Sequence, residues 1–240
     1  MPARPERLAL AALLLGAGVV PAAAQIPRGI SRAASGPSPE VRSLLSRIDS
    51  TRSRFDIATS LLSSSSLVME GVVASSERKA EISRELASAN EREQRGEQNR
   101  VELNAEDRTT QLEAATEQRK YEHQRLSEEQ SANVSNAAFN AALAGLMDAR
   151  ALNDARQLIT EATNAAQHLN DPANAMYASR LQAAATQQLP AIVNAVPTQA
   201  RLGQAIVGAA RQAGSANAAV HVTEATATTD QPRRIDPNAI

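Results

Sequence analysis

The stretch EVRSLLSRIDSTRSRFDIATSLLSSSSLVMEGVV, residues 40–73, decides the fold class. Its apolar residues Val41, Leu44, Leu45, Ile48, Phe55, Ala58, Leu62, Met69, Val72 and Val73 recur at spacings of three, four and seven. That periodicity marks one apolar face of an α-helix. Ile48, Phe55, Leu62 and Met69 share a single heptad position, a coiled-coil-like seam. They are the candidate seam residues, either between helices of one chain or between copies of it. Ser63 to Ser66 interrupt the pattern and mark a kink or a place where another helix approaches closely.

Downstream, no proline occurs from Glu40 to Asp171, and only Gly71, Gly96 and Gly145 interrupt the helix formers. One straight helix of that length would span roughly 200 Å, so the chain must fold back or pair. Residues 77–130 are dominated by charged side chains and glutamine, as on a solvated helix. A second apolar stripe then runs through Phe139, Leu143, Leu146, Met147, Ala151, Ala155, Leu158, Ile159, Ala162, Ala166 and Leu169. Two apolar arms flanking a polar middle predict an all-α fold: a long, coiled-coil-like antiparallel hairpin over 40–171 with a polar, projecting tip near 96–106. In this register Met69 faces Phe139, Leu62 faces Leu146 and Ile82 faces Leu126. Gly96 is placed to end the first arm, and Asn104 with Asp107 to cap the second. A parallel dimer of nearly continuous helices accounts for the heptads almost as well.

Asn170-Asp171-Pro172 ends the second arm. Two short helices are expected over 172–213, one carrying Met176, Leu181, Ala185 and Leu189 and ending at Pro190, the other carrying Leu202, Ile206 and Ala210 after Pro197. They would pack on the hairpin base. Residues 214–240 are small and polar, which predicts a disordered tail. Upstream, residues 25–39 are rich in proline, glycine and serine, which predicts a flexible leader; Ser38-Pro39-Glu40 has the residues of a helix start. Residues 1–24, MPARPERLALAALLLGAGVVPAAA, carry a basic start at Arg4 and Arg7, an apolar run from Leu8 to Val20, and Ala22-Ala23-Ala24 after Pro21. This is the layout of a signal peptide cleaved near Ala24. The apolar run is shorter than the roughly 20 residues a span requires. A periplasmic or secreted protein without an integral span is the expectation.

Composition narrows the function classes. Aromatic residues make up 2% of the chain and tryptophan is absent, so a thick globular enzyme core is not expected. The net charge of −1 gives no general attraction to nucleic acid. With no cysteine there is neither a disulfide, nor a thiolate nucleophile, nor an acylated cysteine behind the signal sequence. His123, His168 and His221 lie in no metal-ligand spacing, and Glu-x-x-His is absent. Carboxylate pairs such as Glu81/Glu85 and Glu113/Glu117 lie in the most polar part of the chain, whereas acid–base work needs a partly desolvated site. Gly-x-Ser-x-Gly, the full Ser-x-x-Lys motif set and a glycine-rich phosphate loop are missing. No enzyme, cofactor or metal is expected. Val101 and Leu103, apolar groups at the expected tip, are the candidate partner contacts.

No motif assigns a family. In architecture alone the chain resembles the periplasmic helical subunits of conjugation and type IV secretion machinery, and the tentacle-bearing periplasmic holdase chaperones. The first resemblance implies a structural or adaptor protein with an envelope partner or self-association. The second implies a chaperone that binds unfolded exported chains.

Overall fold

A computed structural model describes residues 37–95, 103–169, 174–214 and 231–240. The fold is all-α, and among the described residues there is no strand. The helices are α1 (Pro39–Val73), α2 (Ser76–Gln94), α3 (Ala105–Glu117), α4 (Glu128–His168), α5 (Ala175–Ala183) and α6 (Leu189–Gln212). A five-residue π turn, Ala184–Gln188, joins α5 to α6. The expected signal peptide and most of the expected leader, residues 1–36, lie outside the described residues, as do Gly96 and Asp171.

α1, α3 and α4 start where a short polar side chain can replace the missing backbone acceptor. Ser38 accepts from Val41 N ahead of Pro39, and Asn104 accepts from Asp107 N. Ser127 and Gln130 form a reciprocal capping box at the head of α4.

The 41-residue α4 is the spine. Arg47 pairs with Glu161 at 2.6 Å and Arg54 with Asp154 at 2.5 Å, seven residues on along α1 and seven back along α4. These two helices therefore run antiparallel. On the other side of α4, Gly203 of α6 sits where an added Cβ would lie 3.5 Å from the Ala141 carbonyl and 3.6 Å from Leu62. Those are ordinary van der Waals distances, so the two helices meet here at close contact. Ala137, Ala138, Ala141 and Ala144 continue the close face along α4, and Ala209 and Ala210 answer from α6.

The core has two apolar clusters. One joins Ile48 and Leu45 of α1 to Leu158 and Ala155 of α4, with Leu181, Leu189 and Ile192. The other joins Leu62 and Met69 to Val134 and Ala141, with Leu202 and Ile206, and adds Ile82, Leu86, Leu112 and Tyr121. Between them lies a polar layer with one residue from each long helix: Thr59, Asp148 and Gln199. With its amide nitrogen toward Asp148, Gln199 donates to both carboxylate oxygens at 2.9 and 3.3 Å and accepts from Thr59 Oγ1 at 2.9 Å. That orientation satisfies both ends of the amide.

Three expectations are corrected. Of the expected tip near 96–106, residues 96–102 lie outside the described residues, and the described residues on either side of them pack rather than project. α1 breaks at Ala74, whose ψ of 158° is extended, and Ser75 accepts from Arg78 N to start α2. α3 folds onto α6, where Gln212 donates to the Thr116 carbonyl at 2.9 Å. The buried stripe of Ile82, Leu86, Leu112 and Tyr121 drives this, because a free tip would leave those groups in water.

The second correction concerns Pro190 and Pro197, which do not separate two helices. The π turn widens the helix just ahead of Pro190, and Pro197 lies inside α6. Burial of Leu189, Ile192, Val196 and Leu202 along one face offsets the lost backbone bonds. The third is that residues 231–240 are packed rather than disordered, as described below; residues 215–230 lie outside the described set.

Two outcomes follow. Arg119 has φ of 53°, a left-handed conformation that closes α3 through Lys120 N to the Ala115 carbonyl. Arg119→Gly should raise stability by about 0.5–1 kcal/mol, read from urea unfolding. Asp148 is 1% exposed, and burial pushes its carboxyl up from 3.8 to about 7. The folded chain thus keeps this proton at a pH where the unfolded chain has lost it. Its contribution to stability is full below about pH 4, falls as pH rises to about 7, and is flat above. The loss is at most about 4 kcal/mol, and less where the Gln199 amide supports the carboxylate. Asp148→Asn should remove the slope and raise the melting temperature at pH 8, in thermal scans from pH 4 to 8.

Candidate functional site

The heptad residues lie in the core of a single chain. Ile48, Leu62 and Met69 are 2%, 0% and 0% exposed, and Phe55 is half-buried against the first cluster. The seam is therefore filled by the chain's own α4, α5 and α6. Of the two candidate partner contacts, Leu103 is half-buried against the second cluster and Val101 lies outside the described residues. Structure thus brings the seam residues together with the core and leaves Leu103 little surface to offer.

A different face carries polar groups arranged for recognition. On α4, Asn133, Asn136 and Asn140 follow one another at spacings of three and four, which places them on one side of the helix. On α2, Ser83 and Asn90 stand two turns apart. Residues 231–240 lie between these rows as an extended strap antiparallel to α4.

Asparagine side chains hold the strap by its main chain. Asn140 accepts from Arg233 N and donates to the Arg233 carbonyl, both at 2.8 Å. Asn133 accepts from Asp236 N at 2.9 Å and donates to the carbonyls of Asp236 and Ala239 at 2.7 and 3.1 Å. Asn136 donates to the Arg234 carbonyl at 3.0 Å. From α2, Ser83 donates to the Pro237 carbonyl at 2.7 Å and Asn90 to the Ile235 carbonyl at 3.4 Å. An amide carries both a donor and an acceptor, so it can pair with both main-chain groups of one residue, as a neighbouring strand would.

Side chains add the selective contacts. Ile235 is 5% exposed within the second cluster. Ile240 seats against Gly71 so closely that a Cβ there would meet its Cγ2 at 2.4 Å. The Arg233 guanidinium lies 3.9 Å above the Phe139 ring, a cation–π contact. Asp236 Oδ1 accepts from Asn238 N and turns the strap at Pro237.

Asn133 and Asn136 stand just ahead of the second stripe that the sequence displays, and Asn140 falls between its apolar residues. Spacing alone could have flagged the row; its partner is a segment whose composition hides it. Among the described residues no group of three or more His, Asp or Glu is placed to hold a metal ion, and no helix is long and apolar enough to cross a membrane.

Asn133→Ala and Asn140→Ala should each weaken strap docking by about 1–2 kcal/mol. Hydrogen exchange at the Arg233 and Asp236 amides should accelerate roughly tenfold in the matching variant. Unchanged exchange would mean that Ile235 and Ile240 hold the strap alone. Compared with protein-family models, curated proteins and solved structures, the chain matches none.

Proposed function

We propose that this chain is an exported helical adaptor of the bacterial envelope that binds a partner protein by an extended segment laid along α2 and α4. The observation that carries the reading is the two-way pairing of Asn133 and Asn140 with main-chain groups of the strap. A surface that grips backbone amides accepts many sequences in shape, and selects among them by a few pockets. Here those pockets hold one isoleucine in the core, a second isoleucine against Gly71 and an arginine on an aromatic ring. A partner segment of that pattern is the expected ligand.

The export half of the reading rests on the basic, apolar and small-residue layout of residues 1–24. A place in a secretion or conjugation apparatus is the finer form of the proposal, supported by the long-helix architecture alone.

Covalent attachment gives the strap an effective concentration on the order of mM at its own groove. A partner in trans must bind well below that or meet a strap already displaced. This suggests a test. A photo-crosslinking residue at position 136 is introduced in living cells, in the natural chain and in Ile235→Asp. The variant should give several-fold more adduct with one dominant envelope protein. Adducts confined to the chain itself in both forms would sink the adaptor reading at this face. A broad spread of exported chains would replace it with the holdase.

A further inference from the structure

A second feature stands on the other side of α1 and is independent of the strap. α1, α3 and the turn after α3 enclose a cleft of about 310 Å³, at the lower end of the range for small-molecule sites. Its walls are apolar: Val73 from α1, with Leu112, Ala114 and Ala115 from α3.

Three polar groups set its chemistry. Arg108 is partly sunk into the wall, and its guanidinium donates to Ser66 Oγ at 2.8 Å. Among the described residues no carboxylate lies within ion-pair distance of it, which leaves most of the planar donor fork unspent. Lys120 stands at the rim. Tyr121 is 1% exposed and lines the cleft, and its buried hydroxyl has no hydrogen-bond partner. A buried hydroxyl without a partner is costly and calls for a specific explanation.

The acid nearest these groups is Glu70, and it is already engaged. Arg78 holds it at 2.7 Å and reaches Glu81 and Glu85 at 3.0 and 3.2 Å. Glu70 itself lines the cleft, so two cations, Arg108 and Lys120, stand against one carboxylate and the lining side chains carry a net charge of +1.

We propose that this cleft is a binding site for a small monocarboxylate with an apolar body, its head on Arg108 and its chain against Val73, Leu112 and Ala115. A carboxylate matches the guanidinium fork in plane and charge. The apolar walls and small volume disfavour a polyanion such as a nucleotide, which would need more cations and a wetter pocket.

The test is calorimetric titration of the full chain with octanoate and with octanamide, which has the same shape but no charge. Octanoate should bind about tenfold more tightly. Arg108→Gln should bring the two ligands within about twofold of each other. Tyr121→Phe, which deletes an unpartnered hydroxyl sealed behind the cleft wall, should leave octanoate affinity unchanged while raising the melting temperature of the unliganded chain. No octanoate binding at mM concentration, equal affinity for the amide, or an octanoate affinity that Arg108→Gln leaves unchanged would each overturn the proposal. The comparison of two ligands on the natural chain decides the matter even if a variant fails to fold.

Discussion

The buried layer of Thr59, Asp148 and Gln199 is the constraint on which the three long helices depend. Two apolar clusters lined with alanine and leucine are tolerant of sliding, since one methyl group packs much like the next. A hydrogen-bonded layer is not. A slip of one turn along α1, α4 or α6 would bury a carboxylate, an amide or a hydroxyl without a partner, at a cost of about 1–3 kcal/mol for each neutral group and more for the acid. The layer thus fixes the register of all three helices at once. Its own contribution to stability is small or negative near neutral pH, because the carboxyl of Asp148 is desolvated. Specificity of alignment is what it supplies.

That register has consequences at both ends of α4. Beyond the layer toward His168, the helices stay long and the packing is simple: α1 and α5 flank α4, tied by Arg180 to Asp49 at 2.9 Å and Arg52 to Gln188 at 3.1 Å. Exposed pairs of this kind add little energy. Toward Glu128 the chain behaves differently. α1 stops at Ala74, α3 stops at the left-handed Arg119, and α2, α3 and the strap cover what the long helices leave bare. Buried serines make this possible. Ser63, Ser65 and Ser66 of α1 are almost inaccessible, and their small side chains let neighbouring elements approach while Ser66 offers an acceptor to Arg108.

The fold class was legible because the seam from Ile48 to Met69 and the stripe from Phe139 to Leu169 are long, periodic and free of proline. The caps at Ser38 and Asn104 were legible for the same local reason. The broken middle was less so, although its signals are present. Ser127 and Gln130 spell a capping box, and Ser75-Ser76-Glu77 spells a helix start, but both sit in a run of good helix formers that reads as continuous. The prolines misled in the opposite direction: Pro190 and Pro197 read as breaks, yet an apolar face two helical turns long overrides them. The strap was hidden by composition. QPRRIDPNAI has one large apolar side chain before its last residue, too few to predict burial; what holds it is donated by asparagines about 100 residues away. No local reading reaches an interaction of that range.

Both candidate sites owe their existence to the helix breaks. A continuous helix satisfies its own backbone and presents only side chains. Where α1 gives way to α2, the two rows of Ser83/Asn90 and Asn133/Asn136/Asn140 face each other across a gap as wide as an extended strand. Where α3 gives way to the turn at 118–123, Tyr121 is carried back under α3 toward α1, and the space between them becomes a cleft rather than a packed seam. In the half with uninterrupted helices, alanine fills such spaces completely. The same small residues that let α4 and α6 meet closely therefore confine recognition to the end where the helices stop, and it is there that the asparagines, Arg108 and Tyr121 are found.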